Sequence, residues 1–295
     1  MCELLGMECN VPTDIVFSFT AFSMRGGRTA AHSDGWGLAL YDGQFARLLL
    51  EPAPACDSPL ARFVRDNPIP TLLAVAHVRK RTVGAAVLQN THPFKRVLWG
   101  RDWIFAHNGT LPAVKARPVR DFTPVGDTDS EHAFCWLLSE LRQAFPGGYP
   151  SDRPEDLWRC VADLGGQLGA EGTCNFLLAD GQHLFARCAT KLCYIIRQAP
   201  FGRATLRDAD LQVDFSDMTT PNDRVVVVAT EPLTSDEVWT TGRPGTLWVF
   251  REGRMQSELH SRDPAGRPER PMVADPAVAA AEEAQRTQRA QTAVK

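Results

Sequence analysis

The sequence lacks the usual features of exported, membrane-spanning and nucleic-acid-binding proteins. No uninterrupted apolar run approaches the roughly 20 residues that a membrane-spanning helix needs. The chain does not open on a basic segment followed by an apolar stretch, so a secretory signal peptide is not predicted. The formal net charge is −3 and no dense run of Lys and Arg occurs. We therefore expect a cytoplasmic protein that binds neither nucleic acid nor a membrane surface.

The spacings typical of metal sites are also absent. None of the eight cysteines forms a C-x-x-C pair, and none of the seven histidines forms an H-x-x-x-H pair. The sequence therefore predicts no metal site and no cofactor. Because no export signal is present, we expect the cysteines to be free thiols, most of them small residues of the core.

What is present is a chain of 295 residues, 44% of them hydrophobic, which is enough for a sizeable core. Short apolar and β-branched runs dominate it, and they predict strands rather than helices. Two runs contain Asp-Gly where a hairpin would turn, at Asp42-Gly43 and at Asp180-Gly181. The predicted hairpins and strands cover residues 35–50, 71–78, 103–109, 174–188, 191–198, 223–233 and 246–259.

Two helices are predicted between the strands of residues 35–109 and the strands of residues 174–259. Residues 128–145 carry a helical stripe of apolar side chains, and Thr128-x-x-Glu131 is a capping-box pattern at its start. Residues 154–168 carry a second stripe. Helices that follow one group of strands and precede another suit an α+β sandwich, with two sheets and helices packed outside them. We expect one domain over residues 2–260, followed by a disordered or weakly helical tail over residues 261–295.

The position of Cys2, directly behind the initiator methionine, raises a question of chemistry. Removal of Met1 would leave a thiol and a free α-amine on the same residue. An α-amine has a pKa of about 7.7–8.0 and can take the thiol proton, which a nucleophilic cysteine requires. On position alone, an inert cysteine near the terminus is the commoner case.

Other residues suggest a site for an amino-acid amide. Arg79 follows a buried-looking strand, and a guanidinium there is suited to clamp a carboxylate, although a surface arginine beside Lys80 is the simpler interpretation. Asn108-Gly109 ends another strand, and it is either a turn or a pair of N–H donors for an oxyanion.

Acidic residues and one histidine complete the set of candidates. Asp127 and Asp129 stand at the start of the first predicted helix, where acids favour the helix dipole. Either of them is also suited to bind a substrate amine. His92 either lies near a site or is a satisfied core residue. Together with Cys2, an oxyanion pair, a carboxylate clamp and an amine-binding acid are what hydrolysis of a free amino-acid amide such as glutamine requires.

The order of these residues resembles that of the class II glutamine amidotransferases, which belong to the N-terminal-nucleophile hydrolases. The resemblance spans roughly residues 2–255 and is strongest to the stand-alone YafJ-like members. NFLLADG (175–181) and ATEPLTSDEVW (229–239) look like strands that close the family's sandwich. The motifs that carry the resemblance are Cys2, Arg25-Gly26, AHVRKRTVG (76–84), NTHPF (90–94), AHNG (106–109) and TDSE (128–131).

The resemblance implies a four-layer αββα sandwich of two antiparallel sheets between helices. It implies that Cys2 is the nucleophile, with its own α-amine as the base, and that Asn108 and the Gly109 N–H form the oxyanion hole. Arg79 would bind the α-carboxylate of the substrate, and Asp129 would bind its α-ammonium.

Two departures distinguish this chain from the better-known synthases of the family. Lys80 and Val83 stand where those synthases carry a tryptophan and often a histidine. No second, acceptor-binding domain is expected after residue 261. Arg25-Gly26 matches a loop that helps to hold the terminal cysteine.

The predicted activity is therefore cysteine-dependent hydrolysis of the γ-amide of glutamine or of a γ-glutamyl compound. The reaction would pass through a thioester on Cys2 and release ammonia or an amine. The expected partners are that small molecule and, as one option, a separate synthase that accepts the ammonia. The alternative is a non-catalytic ligand-binding or regulatory protein that retains the fold.

Overall fold

The structure, a computed structural model, describes residues 2–81, 84–217 and 219–261 of the chain. None of the four described α-helices has the length and apolar character needed to span a bilayer. The first part of the chain forms β1 (Glu3–Thr13), α1 (Val16–Arg25), β2 (Trp36–Asp42), β3 (Phe45–Glu51), α2 (Pro59–Asp66), β4 (Thr71–Val78), β5 (Phe94–Leu98) and β6 (Arg101–Thr110).

The second part begins with the two longest helices. It forms α3 (Asp129–Ala144), α4 (Pro154–Gly169), β7 (Thr173–Ala179), β8 (Leu184–Cys188), β9 (Cys193–Gln198), β10 (Arg203–Thr205), β11 (Gln212–Asp214), β12 (Arg224–Ala229), β13 (Thr240–Thr241), β14 (Thr246–Arg251) and β15 (Arg254–His260). Apart from Ser261, the tail predicted over residues 261–295 lies outside the described residues.

The strands form two large antiparallel sheets. The first has seven strands in the order β13-β9-β12-β1-β4-β2-β3, and the second has six in the order β15-β14-β8-β7-β6-β5. The short strands β10 and β11 pair separately. Strand β1 lies between β12 and β4, so the segment that begins at Cys2 is central in the first sheet.

Three apolar clusters show how the layers stack. The cluster between the sheets joins Leu4 and Val75 of the first sheet to Ile104 and Leu177 of the second. A second cluster packs α1 and α2 on the outer face of the first sheet. A third packs α3 and α4 on the outer face of the second sheet. The predicted four-layer αββα sandwich is therefore confirmed.

Local signals explain several of the element boundaries. Strand β4 covers the predicted residues, and Gly43 and Gly181 have φ of 61° and 85°, as glycines in tight turns commonly do. Helix α3 begins where its cap predicts, because the Thr128 hydroxyl accepts the Glu131 N–H at 3.1 Å. The capping box is only half formed, since the Glu131 carboxylate bonds Arg96 and the Gly126 N–H instead.

One prediction about secondary structure needs correction, and several elements were not predicted. Residues 246–259 form a hairpin rather than one strand, because Glu252 and Gly253 turn the chain with φ of 56° and 67°. The elements that were not predicted are β1, β5, β10, β11, β13, α1 and α2. Both helices carry a local start signal, since Ser58 caps α2 and the Asp14 carboxylate accepts the Val16 N–H of α1 at 2.9 Å.

A buried carboxylate joins the hairpin of the second sheet to the centre of the first. Glu8 of β1 is 4% exposed, and it accepts the backbone N–H groups of Glu252 at 2.6 Å and Gly253 at 2.8 Å. Burial raises the pKa of Glu8 from 4.5 to about 8, against the opposing effect of these two donors. The folded state therefore favours the protonated carboxyl.

We expect the free energy of unfolding to fall as the pH rises through this window. The unfolded chain, with a Glu8 pKa of 4.5, releases the proton first, so the loss accrues between about pH 4.5 and pH 8. It should amount to about 3–5 kcal/mol. Urea unfolding across this range should show a flatter profile for Glu8→Gln. The exposed Glu155→Gln is the control, and equal slopes for wild type and Glu8→Gln would contradict the assignment.

Candidate active site

Cys2 lies at the entrance of β1, beside the end of β4. Glu3 pairs with Val78, so the antiparallel register brings Cys2 against the residues that follow β4. The Cys2 Sγ lies 3.3 Å from both the backbone N and the backbone O of Lys80. Burial raises the pKa of the Cys2 thiol, while the Lys80 amide and the Arg79 charge act in the opposite direction. A thiol in this setting needs a base before it can act as a nucleophile.

The predicted oxyanion pair lies at the end of β6, in the other sheet. Asn108 is 1% exposed, and its Nδ2 donates to the Cys2 carbonyl oxygen at 2.5 Å. An amide nitrogen carries two N–H bonds. The contact with Cys2 therefore leaves a second N–H that can be offered to a ligand. Gly109 follows directly, and a Cβ added there would lie 1.8 Å from the Thr173 oxygen, so only glycine fits.

Arg79 leaves β4 as a buried side chain rather than a surface one. It is 3% exposed, and its Nη1 and Nη2 donate to the carbonyl oxygens of Ala85 at 2.8 Å and Gly84 at 3.3 Å. Burial lowers the pKa of the Arg79 guanidinium, which stays charged at neutral pH as arginines in proteins do. The loop that follows β4 thus folds back on Arg79 and holds it beside Cys2.

The two acids before α3 occupy different surroundings. Asp129 is the first residue of α3, and its two oxygens accept the N–H groups of Leu111 at 2.7 Å and Ser130 at 2.9 Å. These backbone donors hold the carboxylate in place. Asp127 is exposed and bonds the Asn90 side chain instead.

A small cavity brings most of the predicted residues together. Cys2, Arg79, Gly109 and Asp129 line it, and His92 is a further lining residue. Asn108 reaches this group through its bond to Cys2. The cavity volume is about 20 Å³, which is room for about one water molecule. Clefts that bind small molecules usually have several hundred Å³, so this cavity is smaller than a typical ligand cleft.

Three buried histidines lie at the cavity, of which only His92 was a candidate from the sequence. His92 and His107 line it. The ring of His77 packs on that of His92 with centroids 4.3 Å apart and the planes tilted by 32°, and His77 Nε2 lies 3.2 Å from the His107 carbonyl oxygen. Burial lowers the pKa of His77 to about 3 and lowers those of His92 and His107 as well. All three are therefore neutral at physiological pH and do not compete with Arg79 for an anion.

Arg25 acts on the neighbour of Cys2 rather than on Cys2 itself. Its guanidinium forms ion pairs with Glu3 at 3.2 Å and with Asp208 at 2.7 Å. Further N–H groups donate to the carbonyl oxygens of Glu231 and Pro232. This network fixes the start of β1. The sequence offered no signal for Asp208, which lies 183 positions after Arg25.

Within residues 2–81, 84–217 and 219–261, no three His, Cys, Asp or Glu side chains gather in a way that would hold a metal ion.

Comparison with known proteins gives a consistent result. A family model described as "Glutamine amidotransferases class-II" matches residues 1–273. The YafJ protein of Escherichia coli K12 is 49% identical over 250 residues, which cover 85% of this chain and 97% of that protein. A protein of Methanocaldococcus jannaschii, MJ1515, is 34% identical over 264 residues, which cover 86% of this chain and 70% of that protein.

Solved structures agree on the fold. A crystal structure from Pseudomonas aeruginosa PA01, described as a predicted glutamine amidotransferase, matches with a TM-score of 0.68 at 42% identity, over 87% of this chain and 100% of that one. The glutamine phosphoribosylpyrophosphate amidotransferase of Bacillus subtilis matches with a TM-score of 0.55 at 14% identity, over 88% of this chain and 49% of that one. The second likeness concerns the fold alone. The chain therefore belongs to the class II glutamine amidotransferases.

Proposed function

We propose that this protein hydrolyses the γ-amide of glutamine or of a γ-glutamyl compound through a thioester on Cys2. The observation that carries the proposal is the meeting of Cys2, from the first sheet, with Asn108 and Gly109, from the second. Arg79 and Asp129 line the same cavity and add one positive and one negative charge. A free amino acid carries the complementary pair, an α-carboxylate and an α-ammonium.

The nucleophile is generated by removal of Met1. The α-amine of Cys2 that this cleavage frees then takes the thiol proton, directly or through a water. A base this close counteracts the rise in thiol pKa that burial causes. A retained Met1 turns this amine into an amide, which is not a base. Processing at Met1 is therefore part of the mechanism.

The chemical steps follow from this arrangement. The thiolate attacks the γ-amide carbon, and the carbonyl π electrons move to the oxygen, where Asn108 Nδ2 and the Gly109 N–H stabilise the oxyanion. The oxyanion collapses, the C–N bond breaks, and the protonated α-amine returns its proton to the leaving ammonia or amine. Water then attacks the thioester, which releases the γ-carboxylate product and restores the thiol.

Substrate recognition is assigned to the two charged groups. Arg79 binds the α-carboxylate through its guanidinium, and Asp129 binds the α-ammonium. The N–H groups of Leu111 and Ser130 hold the Asp129 carboxylate in place. Asp129 lines the same cavity as Arg79. Released ammonia either leaves to solvent or passes to a separate synthase, and a co-purifying synthase would favour the second route.

The proposal is tested by turnover and by mapping of a covalent label. Protein lacking Met1, verified by intact mass, is incubated with glutamine and with a panel of γ-glutamyl amides, and the products are identified. We expect turnover of at least one compound. An electrophilic glutamine analogue should give one adduct, which peptide mapping places on Cys2, and the same adduct should form in Cys160→Ala.

Two results would contradict the proposal. One is the absence of turnover across the panel with Met1 removed, which would favour the non-catalytic ligand-binding alternative. The other is labelling that is distributed over other cysteines and is not reduced by an excess of glutamine.

A further inference from the structure

Asn90 connects the two loops that carry the charged groups of the site. It lies at the end of the short 3₁₀ helix Leu88–Asn90 and is 1% exposed. Its amide forms a reciprocal pair with Asp127: Nδ2 donates to the Asp127 carboxylate at 2.6 Å, and Oδ1 accepts the Asp127 N–H at 3.0 Å. Both ends of the Asn90 side chain are thus used on one residue of the loop before α3.

The same amide also reaches the loop that holds Arg79. Asn90 Nδ2 donates to the Ala85 carbonyl oxygen at 3.1 Å, and Arg79 Nη1 donates to that same oxygen at 2.8 Å. One carbonyl oxygen is therefore shared by Asn90 and Arg79. Asp127 stands two positions before Asp129, so a single buried amide links the segments that carry Arg79 and Asp129.

Close packing at two glycines shows how tightly these loops meet. A Cβ at Gly84, which has a φ of +79°, would lie 2.7 Å from Asp127 Oδ1 and 3.0 Å from Asn90 Nδ2. A Cβ at Gly126 would lie 2.2 Å from Asn90 Oδ1. At Gly126 the backbone oxygen of Gln89 would also lie 2.7 Å away, and at Gly84 the positive φ disfavours any side chain, so glycine suits both positions. Asn90 sits in a fixed gap between them.

We propose that Asn90, through its pair with Asp127, is a positioning residue that sets the spacing between Arg79 and Asp129. This inference rests on the proposed function, because the spacing matters only if the two groups bind one amino acid. A free amino acid holds its carboxylate and ammonium at a fixed separation. A change in the spacing therefore weakens binding of the substrate in both the ground state and the transition state, which raises KM and leaves kcat nearly unchanged.

The test compares three variants with wild type in steady-state hydrolysis of glutamine. Asn90→Asp keeps the acceptor for the Asp127 N–H, but it sets a carboxylate against the Asp127 carboxylate and the Ala85 carbonyl. We expect KM to rise by about 30-fold, which corresponds to about 2 kcal/mol and lies within the usual cost of losing a buried hydrogen bond, and we expect kcat to stay within about threefold. Gln89→Ala, an exposed neighbour on the same 3₁₀ helix, is the control and should behave as wild type.

The double variant Asn90→Asp/Asp127→Asn supplies the rescue. The amide now at position 127 donates an N–H to the carboxylate now at position 90. KM should therefore fall at least fivefold from the value of Asn90→Asp. A general defect in folding would not be repaired by exchanging the two groups. Thermal unfolding of each variant checks that the fold is retained.

Failure of this inference can be told apart from failure of the proposed function. If wild type hydrolyses glutamine and Asn90→Asp keeps the wild-type KM, the positioning role is wrong and the proposed function stands. If Asn90→Asp lowers kcat alone, or if the double variant shows no recovery, the positioning role is also wrong. If wild type hydrolyses neither glutamine nor any γ-glutamyl amide, both proposals fail together.

Discussion

Replacement of Cys2 by alanine should lower kcat/KM for the amide substrate by at least about 10⁴-fold, which corresponds to roughly 5 kcal/mol in the activation free energy. The expected size follows from the site, because Cys2 is the sole thiol among the residues that line the described cavity. Its removal leaves the binding and oxyanion groups in place but leaves no nucleophile. Cys2→Ser should also lose most activity, since a serine hydroxyl is a much weaker nucleophile than a cysteine thiol at neutral pH.

The measurement is steady-state release of ammonia or amine, combined with labelling by the electrophilic glutamine analogue. Alanine is as small as cysteine at position 2, so Met1 removal is expected in the variant and is verified by intact mass. Cys160→Ala is the matched control, because Cys160 lies on α4 and burial raises its thiol pKa to about 11. Activity of Cys2→Ala within tenfold of wild type would show that the nucleophile is another group.

Replacement of Asn108 by alanine should lower kcat by about 10²–10³-fold with little change in KM, as removal of one oxyanion donor does in other hydrolases. The Asn108 amide is aimed at Cys2, since Nδ2 donates to the Cys2 carbonyl oxygen at 2.5 Å. The oxyanion forms only after attack, so the lost interaction belongs to the transition state. Asn108→Asp should be at least as damaging, because a carboxylate would repel both the oxyanion and the Cys2 carbonyl.

Separate determination of kcat and KM decides this prediction. Gln89→Ala is again the control variant and should keep the wild-type kcat and KM. Thermal unfolding verifies that Asn108→Ala retains the fold. A rise in KM at constant kcat would assign Asn108 to substrate binding instead of to the oxyanion. A kcat within threefold of wild type in both Asn108 variants would remove it from the mechanism.

Much of the secondary structure could be predicted because its signals are local. The nearly continuous apolar run of residues 71–78 predicts β4, and Asp42-Gly43 predicts the turn between β2 and β3. The hydroxyl of Thr128 caps α3 through a bond to a residue three positions away. Helix α1 was not predicted, although the Asp14 carboxylate accepts the N–H of Val16 at its start. Its apolar side chains are explained by the first sheet on which they pack.

The residue types of the site were also readable in order along the chain, but their meeting was not. Cys2 and Asn108 are 106 positions apart and belong to different sheets, and their contact depends on how those sheets stack. The same applies to Arg25, whose partner Asp208 carries no motif. It also applies to Asn90, which the sequence showed only as the first residue of NTHPF and not as a partner of Asp127.

The sequence by itself predicted an α+β sandwich, because periodicity and turn chemistry are set by neighbouring residues. Its ordered motifs carried the resemblance to the family, and that resemblance implied the αββα arrangement. The residues alone left both Asp127 and Asp129 open as the amine-binding acid, and only the resemblance favoured Asp129. The tertiary structure shows how their surroundings differ: Asp129 lines the cavity with Cys2, while Asp127 bonds Asn90. The physical reason is that the segments folded against each carboxylate set its surroundings. Asp129 meets the turn that follows β6, and Asp127 meets the loop that follows β4. Both segments are distant from the two acids in sequence.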